Sequence, residues 1–197
     1  NVQVLAVCDV DTTRREAARK RVDEHYATLP ASGLPGCAAY SDFRELLARK
    51  DIDAVCIATP DHWHAIITLA ALRAGKDVYC EKPLTHNIHE ALEVMKAVDA
   101  NRRVLQTGSM QRSMKEFRVA CELVRNGAIG DVERILCSFG DPAIPCDLAE
   151  EPMEFGLDWD MWLGPAPFVA FDPGRCLYHF RWFWDYSGGQ TTNLLAH

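Results

Sequence analysis

Glu81 and Lys82 follow directly on Val78-Tyr79-Cys80, a short and nearly uncharged apolar run. A lysine at the end of such a run can hold a hydroxyl or carbonyl oxygen of a substrate and stabilise negative charge as it develops there. The same pair would also serve as a solvated turn with an ion pair at its rim. Asp9 ends another apolar run, Val4 to Cys8. A carboxylate in that place can accept hydrogen bonds from both hydroxyls of an adenosine ribose, and it can equally cap a turn or helix. A third run, Ala54 to Ala58, leads into Thr59-Pro60-Asp61-His62-Trp63-His64, with Asp61 near a helix start. His62 and His64 stand two residues apart and face apart on a helix, so they do not share a metal. His86 and His89 have a metal-binding spacing but no third ligand nearby, and no metal site is expected. Further on, Trp159, Trp162, Trp182 and Trp184 gather among phenylalanines and tyrosines. Aromatic faces stack on the apolar faces of sugar rings, and Arg181 among them can hydrogen-bond hydroxyls. Packing between domains is the other use of such a group.

The runs that end in these residues are too short for helices and do not alternate, which suits strands buried on both faces of a parallel sheet. A fourth run lies at Val104-Leu105. Between them the pattern is helical. Thr13 and Glu16 form a capping box before a charged helix reaching about Tyr26, and Asp42 with Glu45 opens a second. Ile66, Ile67, Ala70 and Ala71 share one stripe that Gly75 ends. Ile88, Ala91, Leu92 and Met95 repeat the spacing of a buried helical face. Strand and helix therefore alternate from residue 3 to about 107, the pattern of a doubly wound, Rossmann-like α/β sheet. After Gly108 the pattern changes. Ser113 and Glu116 cap a helix with the stripe Phe117, Ala120, Cys121 and Val124, closed by Gly127, and Val132 to Phe139 reads as a strand. A boundary near Gly108 divides the chain into 1–108, a dinucleotide-binding type of domain, and 109–197, the beginning of a second domain.

Charge and composition exclude several classes. The chain has 197 residues, and 21 Lys and Arg against 28 Asp and Glu leave a net charge of −7. No basic run supplies the electrostatic footprint of nucleic-acid binding. No apolar stretch approaches the roughly 20 residues of a membrane helix. The eight cysteines include no CxxC pair, and Cys8, Cys56 and Cys80 lie in apolar runs as small hydrophobes. This usage fits a reducing, cytoplasmic compartment. No glycine-rich phosphate loop of the GxGxxG type is present.

The stretch from Asp53 to Pro83 resembles the N-terminal half of the Gfo/Idh/MocA family of nicotinamide-dependent dehydrogenases. Thr59-Pro60, then His64, then Ala74-Gly75-Lys76, then Glu81-Lys82-Pro83 fall in the family's order. Further pieces follow in Gly108, Arg112, Gly127 to Gly130, Trp162 to Pro167 and Tyr186 to Gly189. The resemblance thus runs over essentially the whole chain. It implies that Asp9 binds the adenosine ribose of NAD, with NADP the less suited cofactor because a carboxylate repels its 2′-phosphate, although Arg14 and Arg15 lie near. It implies that Thr59, Pro60, His64 and Glu81 line the nicotinamide half of the cofactor and that Lys82 is the catalytic lysine. Substrate contact falls to Lys82, Arg181 and Trp162. The family's second catalytic element, an aspartate with a histidine four residues later, corresponds to Asn193-Leu194-Leu195-Ala196-His197. His197 takes the place of the general base, and Asn193 departs from the pattern, since an amide can hydrogen-bond a hydroxyl but cannot support an imidazolium by charge. The resemblance also implies a second domain of α+β type with a largely antiparallel sheet, and a chain longer at both ends than residues 1–197. The whole protein would be a homo-oligomer that transfers hydride to or from a carbinol carbon of a sugar or polyol. A branch of the family resembles glycosidases that hold NAD tightly, and a non-catalytic binding module on the same fold is the reading of another class.

Overall fold

The computed structural model describes residues 2–29, 36–138, 144–176 and 179–196. The first half alternates strand and helix. β1 (Ala6–Cys8), α1 (Thr12–Ala27), β2 (Ala38–Tyr40), α2 (Phe43–Ala48), β3 (Ala54–Ile57), α3 (Asp61–Arg73), β4 (Asp77–Glu81), α4 (Ile88–Asn101) and β5 (Leu105–Gly108) follow in order. All strand pairs are parallel. β1 pairs with β2, with Ala6 opposite Ala38, and β3, β4 and β5 form a second ladder in which Val78 faces Val55 on one side and Leu105 on the other. Parallel order puts the carboxyl ends of each ladder's strands on one edge, the place where ligands bind in open α/β sheets. β1 and β3 are not paired to each other. Cys56 lies on the face of β3 opposite the buried Ile57 and is exposed instead of acting as a core hydrophobe.

The core lies where α3 covers β3 and β4. Ala71, Leu72 and Cys80 are fully buried and pack with Leu47, Ile57, Ile67, Val78 and Ala97. Cys80 lies deep enough that burial pushes its thiol up to about 11, so it packs as a neutral hydrophobe. Gly75 ends α3 in the left-handed conformation (φ 74°), as its place in the sequence requires. The Lys76 ammonium is buried and donates to the carbonyls of Arg49 and Ile52.

Several local expectations change. α1 is capped by Asp11, which accepts from the amides of Thr13 and Arg14, and not by a Thr13–Glu16 box; a carboxylate one residue before the helix reaches both orphan amides. α4 turns Val94 and Ala97 inward, and its stripe of Ile88, Leu92 and Met95 is exposed. The helix carries two apolar stripes, and α3 takes the one with the smaller side chains. β2 has no signal in the sequence, because Ala-Ala-Tyr is short and lacks β-branched residues.

After β5 come a 3-10 turn (Met110–Ser113) and α5 (Lys115–Arg125), so Ser113 does not cap the helix. The α5 stripe of Phe117 and Val124 is exposed. Residues 132–138 form no strand; a strand needs a ladder partner, and none lies beside them among the described residues. Phe139 is outside the described residues. The final part contains α6 (Trp159–Leu163), two 3-10 turns (Pro173–Arg175 and His179–Trp182) and α7 (Gly189–Leu195). Its strand-like pairing is a single antiparallel bridge between Leu157 and Asp11; no sheet forms among the described residues of 109–197. Aromatic packing holds it instead. Trp159, Trp162, Phe171, Phe180 and Tyr186 form a second core with Leu163 and Cys176, against which Val10 of the first half packs. Trp159 stacks on Trp162 with centroids 4.8 Å apart. Among the described residues no helix is long and apolar enough to cross a membrane.

Gly164 lies tight against Trp63 of the first half. A Cβ there would lie 2.1 Å from the Trp63 ring, and its φ is +52°. Gly164→Ala in the complete protein is expected to cost about 2–4 kcal/mol, from overpacking and an unfavourable backbone together. The denaturant midpoint for unfolding reads this directly, and an unchanged midpoint would contradict the packing of Trp63 on Gly164.

Candidate active site

Four of the sequence-predicted residues stand at the carboxyl ends of their ladders because their strands end there. Asp9 follows β1, Thr59 follows β3 and Glu81 ends β4, with Lys82 next. Asp9 is half-buried, and its Oδ1 accepts from the Asp11 amide at 2.9 Å. Burial pushes its carboxyl up, opposed by that amide and by Arg14 and Arg15. Both arginines are engaged locally. Arg14 pairs with Asp11, and Arg15 donates to the Asp9 carbonyl and to Thr12 Oγ1. Glu81 lies over Gly108 at the end of β5, where a Cβ would come within 2.7 Å of the carboxylate. Only a glycine leaves room for it.

Lys82 is brought to a residue 111 positions away. Its ammonium donates to the Asn193 carbonyl at 2.8 Å and to the Asn193 side-chain oxygen. Asn193 is buried on α7. Burial and the neighbouring Arg181 guanidinium hold the Lys82 ammonium below the usual lysine range, with Asp61 and Glu81 acting against them. A lysine so placed is a stronger hydrogen-bond donor than one in water. His197 lies outside the described residues.

The first turn of α3 joins the halves. Asp61 is buried and accepts from Ser187 Oγ at 2.6 Å. His62 donates its backbone amide to the Tyr186 carbonyl, and its Nε2 lies 3.1 Å from the Trp162 carbonyl, to which Trp63 Nε1 also donates. His64 is 1% exposed, with Nδ1 at 2.6 Å from the Pro83 carbonyl and Nε2 at 2.7 Å from the Thr59 carbonyl. His62 and His64 do face apart, and both are structural partners of backbone. His64 is thus a strut between the ends of β3 and β4, with no free ring nitrogen to offer a ligand. Trp162 is likewise corrected: its ring is 8% exposed inside the aromatic core, and its contribution to the site is the carbonyl. Arg181 stacks its guanidinium over Phe180, 4.5 Å from the centroid. Trp184 is the exposed tryptophan of the group, over His86. Asp61 and Ser187 had no assigned role in the sequence beyond a helix start and a turn, since a pair 126 residues apart leaves no local spacing to read.

Thr59 Oγ1 is buried without a hydrogen-bond partner, and such a hydroxyl at a strand end is costly unless a ligand supplies one. This hydroxyl and the Asp9 carboxylate at the end of β1 are hydrogen-bonding groups of the kind that a nicotinamide dinucleotide would pair with. No group of three or more His, Cys, Asp or Glu among the described residues could hold a metal ion.

Two family models match the chain. Residues 1–109 match the model of an oxidoreductase family with an NAD-binding Rossmann fold, and residues 145–197 match the model of that family's C-terminal alpha/beta domain. The chain belongs to the Gfo/Idh/MocA family. Similar proteins include the inositol 2-dehydrogenases of Rhodococcus jostii (37% identical over 58% of this chain and 32% of the relative) and Pseudarthrobacter chlorophenolicus (32% identical over 76% and 41%). Among solved structures, a myo-inositol 2-dehydrogenase from Lactobacillus plantarum superposes with TM-score 0.55 at 28% identity, covering 66% of this chain and 35% of that one. A 3-ketoreductase from Actinomadura kijaniata, solved with TDP-benzene and NADP, gives 0.55 at 26% identity over 65% and 36%. The chain spans about a third to two fifths of the length of these relatives.

The joint between the halves carries a pH dependence. Burial lowers His62 from 6.5 to about 4. As pH falls through 6.5 the unfolded chain takes a proton on this histidine, while the folded chain does not until about 4. The proton therefore favours unfolding in that window, and stability is lost as pH falls through it. Integrated over the window the loss is about 3 kcal/mol. Denaturant unfolding of the complete protein between neutral pH and pH 4 measures it, and His62→Gln, which keeps a donor to Trp162, should flatten the dependence by about that amount.

Proposed function

We propose that the complete protein is an NAD-dependent dehydrogenase that transfers hydride between the cofactor and a carbinol carbon of a polyol or sugar, with cyclic polyols of the inositol type the first substrates to try. The observation that carries this reading is the Lys82 ammonium at the carboxyl edge, oriented by Asn193. A bound nicotinamide supplies the hydride acceptor. Thr59 and Pro60 at the end of β3 and Glu81 over Gly108 form the walls of its pocket, and Asp9 takes the ribose hydroxyls. Lys82 donates to the substrate oxygen and stabilises the negative charge that builds up as carbon gives up its hydride. Asn193 holds the ammonium and turns it toward that oxygen. The hydroxyl proton leaves to His197, whose intrinsic pKa suits the task. Arg181, beside Lys82 and Asp61 electrostatically, contributes a donor for further hydroxyls and keeps the lysine acidic. The fit of cyclic polyols rests on the inositol 2-dehydrogenases among the relatives. A homo-oligomer in a reducing, cytoplasmic compartment completes the proposal.

Two measurements test it. In the complete protein Lys82→Ala should lower kcat by about a thousandfold or more, the scale of a lost charge-stabilising donor, while the dissociation constant for NAD changes little. Equal turnover in the variant would remove Lys82 from the mechanism. Calorimetric titration should also show NAD bound at least about tenfold more tightly than NADP, about 1.4 kcal/mol, because an Asp9 carboxylate taking the ribose hydroxyls would repel a 2′-phosphate and Arg14 and Arg15 are already engaged. A preference for NADP would overturn the placement of Asp9.

A further inference from the structure

His64 presents a problem of proton accounting. Both ring nitrogens lie within hydrogen-bond distance of backbone carbonyl oxygens, Nδ1 of Pro83 and Nε2 of Thr59. A carbonyl oxygen can only accept. A neutral imidazole has one N–H, so one of the two contacts would set a nitrogen lone pair against an oxygen lone pair at under 3 Å, in a place that water does not reach. An imidazolium has two N–H groups and satisfies both contacts. The charge then needs a partner in the same buried space. Asp61 is one helical turn earlier on α3, at i−3, is itself 3% exposed, and interacts electrostatically with His64.

We propose that His64 is a charged imidazolium at neutral pH, with Asp61 as its counter-charge, and that this buried pair is a positioning device that fixes the carbonyl of Pro83, the residue after Lys82, against the end of β3. The lysine's role rests on the hydride-transfer reading above; the charge state of His64 does not. Each member of the device has a second attachment. Asp61 accepts from Ser187, which stands just ahead of α7, and α7 carries Asn193 to Lys82. His64 holds the carbonyl of Pro83, the residue bonded to Lys82. The lysine is thus fixed from both sides, through its own backbone by His64 and through its ammonium by the helix that follows Ser187. The other charged groups around the pair are Lys82 and Glu81 at the end of β4 and Arg181 in the 3-10 turn. Lys82 and Arg181 are cations and oppose a charge on His64, whereas Asp61 and Glu81 favour it. Burial raises the Asp61 carboxyl, and Ser187, His64, Arg181 and Lys82 act in the opposite direction, as does its place in the first turn of α3.

The test is nitrogen NMR of the complete protein labelled with 15N-histidine, which needs neither substrate nor turnover. His64 should show two protonated ring nitrogens at neutral pH, one for each carbonyl contact. A single N–H tautomer at neutral pH would overturn the proposal. Assignment comes from His64→Gln or, should that variant fail to fold, by elimination with variants at the other histidines. Asp61→Asn keeps an acceptor for Ser187 and removes only charge. In it the signal of the second protonated nitrogen at neutral pH should weaken or vanish, the effect of removing an opposite charge, while Ser187→Ala leaves the two protons in place. Should Asp61→Asn not fold, Asp61→Ser makes the same comparison. An unchanged two-proton signal when the carboxylate is gone would overturn the assignment of Asp61. A charged His64 in a protein that proves inactive on polyols would leave the device standing and remove the dehydrogenase reading alone.

Discussion

The four residues that open α3 set the constraint on which the rest of the site depends. Asp61, His62, Trp63 and His64 place their polar atoms in buried surroundings, where an unmet donor or acceptor costs on the order of 1–3 kcal/mol. Each of the four finds a partner in a different part of the chain. Ser187 donates to Asp61, the Tyr186 and Trp162 carbonyls take His62, Trp162 takes Trp63 as well, and the Thr59 and Pro83 carbonyls flank His64. These partnerships cannot be exchanged without leaving a buried group unmet. They fix where the second half of the chain meets the sheet edge, and hence where Asn193 meets Lys82.

The aromatic core serves this joint. Trp159, Trp162 and Tyr186 bury large faces against one another, and dispersion between such rings supplies the area that the short elements of the second half lack. The sugar-stacking role that a tryptophan in this stretch could have had is therefore not taken by Trp162, whose ring is consumed in holding its own carbonyl before His62 and Trp63. Glycine completes the arrangement at two places. Gly164 lets Trp63 close onto the second half, and Gly108 lets the Glu81 carboxylate lie across the end of β5.

Electrostatically the site balances two cations, Lys82 and Arg181, against the carboxylates of Asp61 and Glu81. Asn193 contributes orientation without charge. That division keeps the lysine a strong donor, because a carboxylate at position 193 would pair with the ammonium directly and raise its affinity for its proton.

Much of this was determined by sequence alone. Short uncharged runs with helical segments between them specify parallel strands, and in a parallel sheet the residues that end the runs must gather at one edge. Thr59, Glu81 and Lys82, at the ends of β3 and β4, follow from that rule without coordinates, and the ordered Thr-Pro, His, Glu-Lys-Pro set specifies the family. Other features were decided only in three dimensions. Which stripe of α4 is buried depends on how the helix packs against α3. Whether Val132 to Phe139 becomes a strand depends on a partner that the segment cannot supply. The uses of Asp61, His64 and Trp162 depend on partners distant in sequence, Ser187 for Asp61, Pro83 for His64 and the first turn of α3 for Trp162, because hydrogen bonds form between groups that the fold brings together, and local periodicity reports only which face a residue occupies.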